Sequence, residues 1–273
     1  MKRSLLYILF LLLPMTLFAG SKTQQLRQKL DNLLEQRNAL IDNKNKDINR
    51  LKKNLTTSEN TLKRLQTYEQ LFEEYYVFQF DSAMTYLNKG IKLAKETQNT
   101  YYYNSNTISK AELLSIGGLY NEAIHEIEQV DTTVLDKGQH FEYYFSLFRI
   151  HTYWADFCND KTYTPIHRLK AQEYLKKAMP FCDETDKTYE YYLGEYAVFV
   201  LNNPQTARAH YIKAIKQLPQ NSRFYAMSCF ALSGSYGGKY RKAGRVPFIV
   251  EYCRYRELYD GELCPPKPCN VHL

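Results

Sequence analysis

The sequence predicts an all-α fold: a right-handed superhelix of stacked helix pairs, preceded by a long charged helix or a helical hairpin. Three observations support this prediction. Apolar residues recur at helical spacing, and a pattern of small and large residues returns several times along the chain. In addition, 11 Gly and 9 Pro in 273 residues are too few for a β-sandwich with many turns.

The composition excludes several classes of protein. Charged residues make up 24% of the chain and the mean hydropathy is −0.52, whereas a protein that crosses a membrane many times needs several long apolar runs. The 14 Phe and 25 Tyr carry too much ring surface for a disordered chain. The length fits one elongated domain or two small ones.

The net charge of +7 does not indicate a nucleic-acid partner. Lys2 and Arg3 supply two of these charges, and the segment from Lys239 onward carries seven Lys or Arg against four Asp or Glu, a surplus of three. Residues 22–238 are left with a net charge of +2. Proteins that bind nucleic acid concentrate basic residues on one face, so we expect no nucleic acid as a partner of this segment.

The N-terminus has the parts of a secretory signal peptide. Lys2 and Arg3 are followed by an apolar run over residues 4–18, and the small residue Ala19 comes next. As a helix this run spans about 22 Å, short of the roughly 30 Å hydrocarbon core of a bilayer. We predict that residues 1–19 are cleaved and that the protein is exported to a bacterial periplasm. The alternative is an uncleaved N-terminal helix that holds the protein in the inner membrane.

Residues 22–76 are predicted to form a charged helical segment. Apolar residues recur there at helical spacing: Leu26, Leu30, Leu33, Leu34, Leu40, Ile41, Ile48, Leu51 and Leu55. This spacing favours one helix of about 30 residues, a break at residues 56–58, and a second helix capped by Ser58. A helical hairpin is the preferred interpretation, and a parallel coiled-coil homodimer through the same residues is the alternative.

Residues 77–238 repeat a pattern of small and large residues. The clearest copy, KAELLSIGGLYNEAIHEIEQV, has the offsets of a tetratricopeptide helix pair: Ala111, Gly118, Tyr120, Ala123 and Ile127. The second half of the pattern returns as Ala83 with Leu87, as Ala171 with Leu175 and Ala178, and as Ala207 with Tyr211 and Ala214. Small residues let two helices approach closely, so we predict that these positions pack the repeats together.

No residue pattern indicates catalysis, a metal site or a cofactor, and we predict that the protein is not an enzyme. The sequence GSYGGKY differs from a phosphate-binding loop, since Ser233 replaces the first Gly and Tyr240 replaces the metal-binding hydroxyl. The six Cys and six His form no Cys-x-x-Cys and no His-x-x-x-His pair. Buried free thiols are the default expectation for the Cys residues, and a disulfide between Cys158 and Cys182 is the alternative.

Tyrosine clusters give the best candidates for binding. The inner face of such a superhelix is lined by the first helix of each pair and is free to vary, and rigid rings beside charges suit an extended peptide. In the clearest copy, Lys110, Glu112 and Leu113 fall between the packing positions. The predicted binding residues for a protein or peptide in the periplasm are Tyr101, Tyr102, Tyr103 and Lys110.

The order of these features resembles a known family. A signal peptide, a charged helical segment and Tyr-rich repeats containing FDSAMTYLNKGIKLA and GLYNEAIHEI are similar, over residues 1–238, to the N-terminal half of the tetratricopeptide-like envelope regulators catalogued as domain of unknown function 6377. The resemblance implies a sensor, because in that family an exported repeat domain precedes a transmembrane helix, a cytoplasmic coiled coil and a helix-turn-helix end. Only the sensory half is matched here. A free-standing scaffold for envelope proteins is the alternative.

Residues 239–273 differ from the rest of the chain. Pro247 falls where the large residue of the next second helix belongs, and three of the six Cys lie in this stretch without an amphipathic period. Read one base forward with suitable synonymous codons, the segment from Lys239 onward resembles the family's continuation. We interpret the tail as the product of a frameshift near Gly238 that truncates a longer regulator.

Overall fold

The computed structural model describes residues 35–236 together with residues 24, 28, 31 and 32. From residue 37 to residue 235 the chain forms ten α-helices and two short 3₁₀ turns, and the described residues contain no strand. The helices are α1 (Arg37–Thr57), α2 (Thr61–Tyr75), α3 (Phe80–Glu96), α4 (Thr100–Ile116), α5 (Tyr120–Ile127), α6 (Lys137–Cys158), α7 (Tyr163–Ala178), α8 (Tyr189–Phe199), α9 (Pro204–Gln217) and α10 (Arg223–Ser235). None of the helices described here is long and apolar enough to cross a membrane.

From α2 onward the helices pair with their neighbours in sequence. α2 packs against α3, α4 against α5, α6 against α7 and α8 against α9, and α10 packs on α9 as the start of a fifth pair. The first helices of two successive pairs, α4 and α6, also contact each other, which stacks one pair on the next. The predicted all-α superhelix of tetratricopeptide-like pairs is confirmed.

α1 packs against α2 to form a helical hairpin, which shares α2 with the first repeat pair. Lys44 on α1 pairs with Glu74 on α2, with 3.0 Å between Nζ and Oε2. Ile48 on α1 is buried in the same core cluster as Leu71 on α2. α1 is 21 residues long, and the earlier part of the predicted helix of about 30 residues falls mostly before residue 35, outside the continuous described range.

The start of α2 corrects one prediction. The side-chain oxygen of Asn60 accepts a hydrogen bond from the Lys63 N–H at 2.9 Å, so Asn60 caps this helix and Ser58 does not. Ser58 instead comes after the last residue of α1 with extended backbone angles. Both residue types are good N-caps, so the helix start depends on which of them the tertiary packing places at the boundary.

The turn between α4 and α5 shows why the repeat pattern needs glycine at its centre. Gly118 has a φ of 82°, in the left-handed region that favours glycine. The Gly118 N–H donates to the Ser115 carbonyl at 3.1 Å and the Leu119 N–H to the Leu114 carbonyl at 3.0 Å. These are the two hydrogen bonds of a Schellman C-cap, and Tyr120 begins α5 directly afterwards.

The small and large residues of the repeat pattern lie in the core. Eleven of them are each at most 1% exposed: Ala83, Leu87, Ala111, Ala123, Ile127, Ala171, Leu175, Ala178, Ala207, Tyr211 and Ala214. Tyr120 is half-buried and stacks on Trp154, with 5.4 Å between the ring centroids. A Cβ atom on Gly194 of α8 would lie 2.3 Å from a ring carbon of Tyr211 on α9, so glycine is what allows these two helices to approach so closely.

Three further predictions concern cysteines and the chain ends. Cys158 and Cys182 are both free thiols. Burial raises the pKa of the Cys182 thiol to about 12, so this side chain is an inert apolar group. The predicted signal peptide at residues 1–19 and the predicted frameshifted tail at residues 239–273 lie outside the described residues.

Candidate functional site

The first helices of the pairs meet around a group of polar side chains. We call it the central cluster, and it consists of Tyr76, Glu112, Ser146, Arg149, Tyr153 and Arg223. Tyr76 comes directly after the last residue of α2 and Arg223 is the first residue of α10, 147 positions later in the sequence. The cluster therefore joins the first and the last of these helices.

Glu112 on α4 is the acceptor at the centre of the cluster. Its Oε1 atom lies 2.5 Å from a terminal nitrogen of Arg149 on α6, and the Tyr76 hydroxyl donates to the same oxygen. The Ser146 hydroxyl donates to Oε2 at 3.2 Å. A terminal nitrogen of Arg223 lies 3.6 Å from Oε1. Both carboxylate oxygens thus have partners, as a buried charge requires.

The ionisation of the cluster is determined by these contacts. Burial alone would raise the pKa of Glu112, but Arg149 and Arg223, together with the hydrogen bonds from Tyr76 and Ser146, hold the pKa of that carboxyl below its usual value. Burial raises the pKa of the Tyr76 hydroxyl far above its ordinary value, so this group stays neutral and donates. One carboxylate is therefore shared by two guanidinium groups.

Each arginine of the cluster also engages a tyrosine. The Arg223 guanidinium lies 4.2 Å from the centre of the Tyr76 ring, within the range of a cation–π contact, and it donates to the Tyr76 hydroxyl at 3.0 Å. Nε of Arg149 donates to the Tyr153 hydroxyl at 3.1 Å. The residues of the central cluster thus lie on α4, α6 and α10, apart from Tyr76, which directly follows α2.

Three further carboxylates lie beside the central cluster: Glu69 and Glu73 on α2, and Glu142 on α6. Glu73 and Glu142 are exposed, yet the helices around them reduce their hydration. This loss of hydration raises the pKa of Glu142 to about 7, and the other carboxylates add to the effect. We call the surface formed by these carboxyl groups and the central cluster the A face, and Glu73 and Glu142 lie on its open part.

α8 extends the A face with a protonatable carboxyl group. Burial raises the pKa of Glu195 to about 7, and the Tyr211 hydroxyl donates to it at 2.7 Å. Arg149 acts in the opposite direction and lowers the pKa of Glu195. Glu195 on α8 is therefore coupled electrostatically to Arg149 of the central cluster.

Of the four predicted binding residues, Tyr101 is the one that lies open on the A face. Its side chain is 50% exposed, and it stands eleven residues before Glu112, a spacing that puts both on one side of α4. Glu142 and Glu69 are among the charged groups near its hydroxyl. An exposed ring beside carboxylates is consistent with a binding role.

The other three predicted binding residues face different neighbours. Tyr102 is 8% exposed and packs in the core between α2 and α3. The Lys95 ammonium lies 5.1 Å from the centre of the Tyr103 ring, and Lys110 pairs with Glu126 at 2.8 Å. The partners of Tyr103 and Lys110 belong to α3 and α5, the second helices of their pairs. The four residues are thus not brought together in one patch.

Arg149, Arg223 and Glu142 belong to the site but were not predicted from the sequence. A signal for two of them exists, because Glu142, Ser146, Arg149 and Tyr153 recur at intervals of four, three and four residues along α6, the spacing of one helix face. No comparable signal exists for Arg223, since its partners come from helices far away in the sequence.

Histidines form one buried pair outside the A face. The Nδ1 atoms of His151 on α6 and His167 on α7 lie 3.0 Å apart, and Trp154 stacks on His167 with 4.1 Å between the ring centroids. Burial lowers the pKa of His151 to about 4, so the pair is neutral near pH 7. Within the described part of the chain, no three His, Cys, Asp or Glu residues are arranged to hold a metal ion.

Comparison with known proteins places the chain among repeat proteins. The model of the family described as the SusR N-terminal TPR domain matches residues 34–250. No curated protein matches the chain. A solved structure of a putative kinesin light chain with nearly identical TPR-like repeats, from Podosopora anserina, is 15% identical, with a TM-score of 0.42, and the match covers 74% of this chain and 97% of that one.

Proposed function

Because the chain belongs to the family of SusR N-terminal TPR domains, we propose that it binds a segment of another protein on its A face and acts as the sensor half of an exported regulator. TPR-like repeats are generally non-catalytic modules for protein–protein interaction. The observation that supports this proposal most directly is Tyr101, which is 50% exposed on the same side of α4 as Glu112.

The chemistry of the A face suits an extended segment of a partner. A rigid ring loses little conformational entropy when it is covered, and Glu142 and Glu73 offer acceptors that are already exposed. The helices that carry these side chains are fixed by the core packing of the repeats. Binding therefore requires little ordering of the domain itself, which favours affinity.

The binding proposal is tested by capture from a periplasmic extract. The full chain and a variant with Tyr101→Ala and Glu142→Gln serve as bait, and we expect the variant to retain several-fold less of a specific partner. Tyr163→Ala is the matched control, since Tyr163 is 61% exposed but begins α7, a second helix. Equal capture by all three proteins would refute binding at this part of the A face.

We propose export through the signal peptide at residues 1–19. Cell fractionation and the mass of the mature N-terminus test this: a periplasmic protein that begins after Ala19 supports cleavage. A membrane fraction that retains Met1 would instead support the alternative, an uncleaved helix in the inner membrane.

We propose that the chain is a truncated regulator, with residues 239–273 produced by a frameshift. An in-frame transmembrane helix and helix-turn-helix encoded beyond the stop codon would support the sensor. Limited proteolysis is a second test, because a tail without a packed helix is digested before the repeats. A tail that resists protease as long as the repeats would contradict the frameshift.

A free-standing scaffold for envelope proteins is the second candidate. It is favoured by exposed apolar side chains at the ends of the first helices and in the turns after them: Phe157 is 73% exposed, Leu201 56%, and Ile116 and Leu119 are each 41% exposed. A contact with another protein would remove these side chains from water. A homodimer through residues 22–76 would be a further assembly contact, and sedimentation velocity of the full chain tests it.

A further inference from the structure

One contact connects the two ends of the repeat array. Tyr76 comes directly after α2, the first helix of the first pair, and Arg223 begins α10, the start of the fifth pair. Three complete helix pairs, α4 to α9, lie between them in the sequence. The Arg223 contact with Tyr76 therefore closes the array across the A face, a role that contacts between neighbouring pairs do not have.

The two arginines that share Glu112 are not equivalent. Arg149 approaches Glu112 to 2.5 Å and its side chain is 10% exposed, whereas Arg223 stays at 3.6 Å and its side chain is 24% exposed. Glu112 therefore keeps a close cationic partner when Arg223 leaves.

Electrostatic forces on Arg223 act in both directions. Tyr76 and Glu112 favour its charged guanidinium at this position, while the like charge of Arg149 opposes it. Burial is the largest effect that opposes the charge on Arg223, and this desolvation cost is recovered when the side chain moves out into water. Of the two guanidinium groups in the central cluster, Arg223 is the one held less closely by Glu112.

We propose that Arg223 is a releasable clasp: it holds α10 against the end of α2 in a closed state, and its release from Tyr76 and Glu112 gives an open state in which α10 is displaced. The inference rests on the proposed function, since a partner segment on the A face would be what shifts this balance. The Tyr76 ring is 3% exposed in the closed state, so a segment reaches this ring and the Glu112 carboxylate after Arg223 has left, and by binding them it stabilises the open state.

Release of the clasp would pass a binding event on to the chain that follows α10. α10 leads into the chain beyond residue 236, so displacement of α10 moves the point at which that downstream segment is attached. Binding near Tyr101 on α4 would be read as a change at α10, although the two helices are far apart in the sequence. The clasp also predicts reciprocity: a change at the end of α2 must loosen α10.

Hydrogen exchange measured by mass spectrometry tests the clasp on the full chain without any partner. Arg223→Met removes the guanidinium from the α10 side. Tyr76→Phe acts from the α2 side, because it keeps the ring but removes the hydroxyl that accepts from Arg223. Arg168→Met is the matched control, because Arg168 pairs with Asp156 and lies 5.9 Å from the centre of the Phe199 ring. Like Arg223, it contacts a carboxylate and an aromatic ring, but it does not connect the two ends of the repeat array.

We expect both Arg223→Met and Tyr76→Phe to speed the exchange of α10 amides about ten-fold, the effect of losing a hydrogen bond to a charged group. Arg223→Met should also speed exchange at the C-terminal end of α2, and Arg168→Met should change neither region. The clasp is overturned if Tyr76→Phe leaves α10 unchanged, or if Arg223→Met affects α10 alone. Arg223→Lys, which keeps the charge, replaces Arg223→Met if circular dichroism shows that the latter has lost its helices.

Failure of the clasp and failure of the proposed function give different results. In one case, hydrogen exchange in α10 and at the end of α2 responds as expected, but the variant with Tyr101→Ala and Glu142→Gln captures as much partner as the wild type. This result supports the clasp and refutes binding on the A face. Reduced capture by that variant, with no response of α10 to Tyr76→Phe, supports binding and refutes the clasp.

Discussion

Replacing Gly194 with alanine tests how tightly the fourth helix pair is packed. The added Cβ would lie 2.3, 2.6 and 2.9 Å from three carbons of the Tyr211 ring, whereas carbon atoms in good contact are about 3.5 to 4.0 Å apart. Tyr211 is 1% exposed, and its hydroxyl donates to Glu195 at 2.7 Å. The ring therefore has no free space to enter, and moving it stretches a buried hydrogen bond.

The expected magnitude is set by two opposing effects. Alanine is better than glycine inside a helix by about 1 kcal/mol, while forcing extra atoms into a packed core costs about 1–3 kcal/mol or somewhat more. A contact as short as the one at Gly194 belongs at the upper end of that cost. We therefore expect Gly194→Ala to lower the free energy of unfolding by about 1–2 kcal/mol, which for a domain of this size lowers Tm by roughly 2–8 °C.

Gly234→Ala on α10 is the matched control. A Cβ on Gly234 would meet no atom of the described residues within 4 Å, so the helix preference dominates, and we expect the free energy of unfolding to rise by up to about 1 kcal/mol. Thermal melts followed by circular dichroism at 222 nm compare the two variants with the wild type. A Gly194→Ala protein as stable as Gly234→Ala would show that α8 and α9 are not packed as tightly as the Gly194 contact requires.

Three other predictions concern packing and pH. Ala123→Leu should cost about 1–3 kcal/mol in urea unfolding, because Ala123 is 0% exposed between two helices; an unchanged midpoint would contradict this packing. The pKa of His151 is lowered to about 4, so the unfolded chain binds the proton more readily and stability should fall, by up to about 3 kcal/mol, as the pH drops from 6.5 towards 4; the urea midpoint of His151→Phe should depend less on pH in this range. The pKa of Glu142 is raised from 4.5 to about 7, so stability is lost as the pH rises between these two values; Glu142→Gln should therefore raise the urea midpoint at pH 8 and raise it much less at pH 5, and an equal shift at both values would show that charge is not the cause.

The helix pairs could be predicted because their packing is local. Within a pair, Ala111 and Ala123 are only twelve positions apart, and both must be small for the helices to touch. The Schellman turn at Gly118 is likewise fixed by a few adjacent residues. The requirement for small residues at these positions recurs in each helix pair, so it produces a periodic pattern in the sequence. The start of α2 was harder to predict, since Ser58 and Asn60 are two good N-caps two residues apart and no local signal chooses between them.

The central cluster could not be predicted because its members come from four helices. Glu112 acquires its role from Arg149 on the next first helix and from Arg223 at the far end of the array. The register between these helices depends on the superhelical winding, which no single repeat encodes. Tyr101 and Tyr102 differ for a local reason: adjacent residues look alike in a cluster of tyrosines, although successive positions on a helix point about 100° apart.

Stability alone does not explain why the central cluster is built from charged residues. Burying Glu112 with two guanidinium groups costs desolvation that apolar side chains of similar size would avoid, and replacing buried ion pairs by such side chains is often neutral or stabilising. The packing of the pairs already rests on apolar residues, among them Leu87 and Leu175, each 0% exposed. The charged groups add directional contacts. Glu112 accepts hydrogen bonds only in a narrow geometry, so it fixes the positions of α2, α6 and α10 relative to α4. An apolar A face would hold these helices in one arrangement, whereas in the proposed clasp two cations compete for one carboxylate, and the release of one of them gives the second arrangement that the proposed sensor requires.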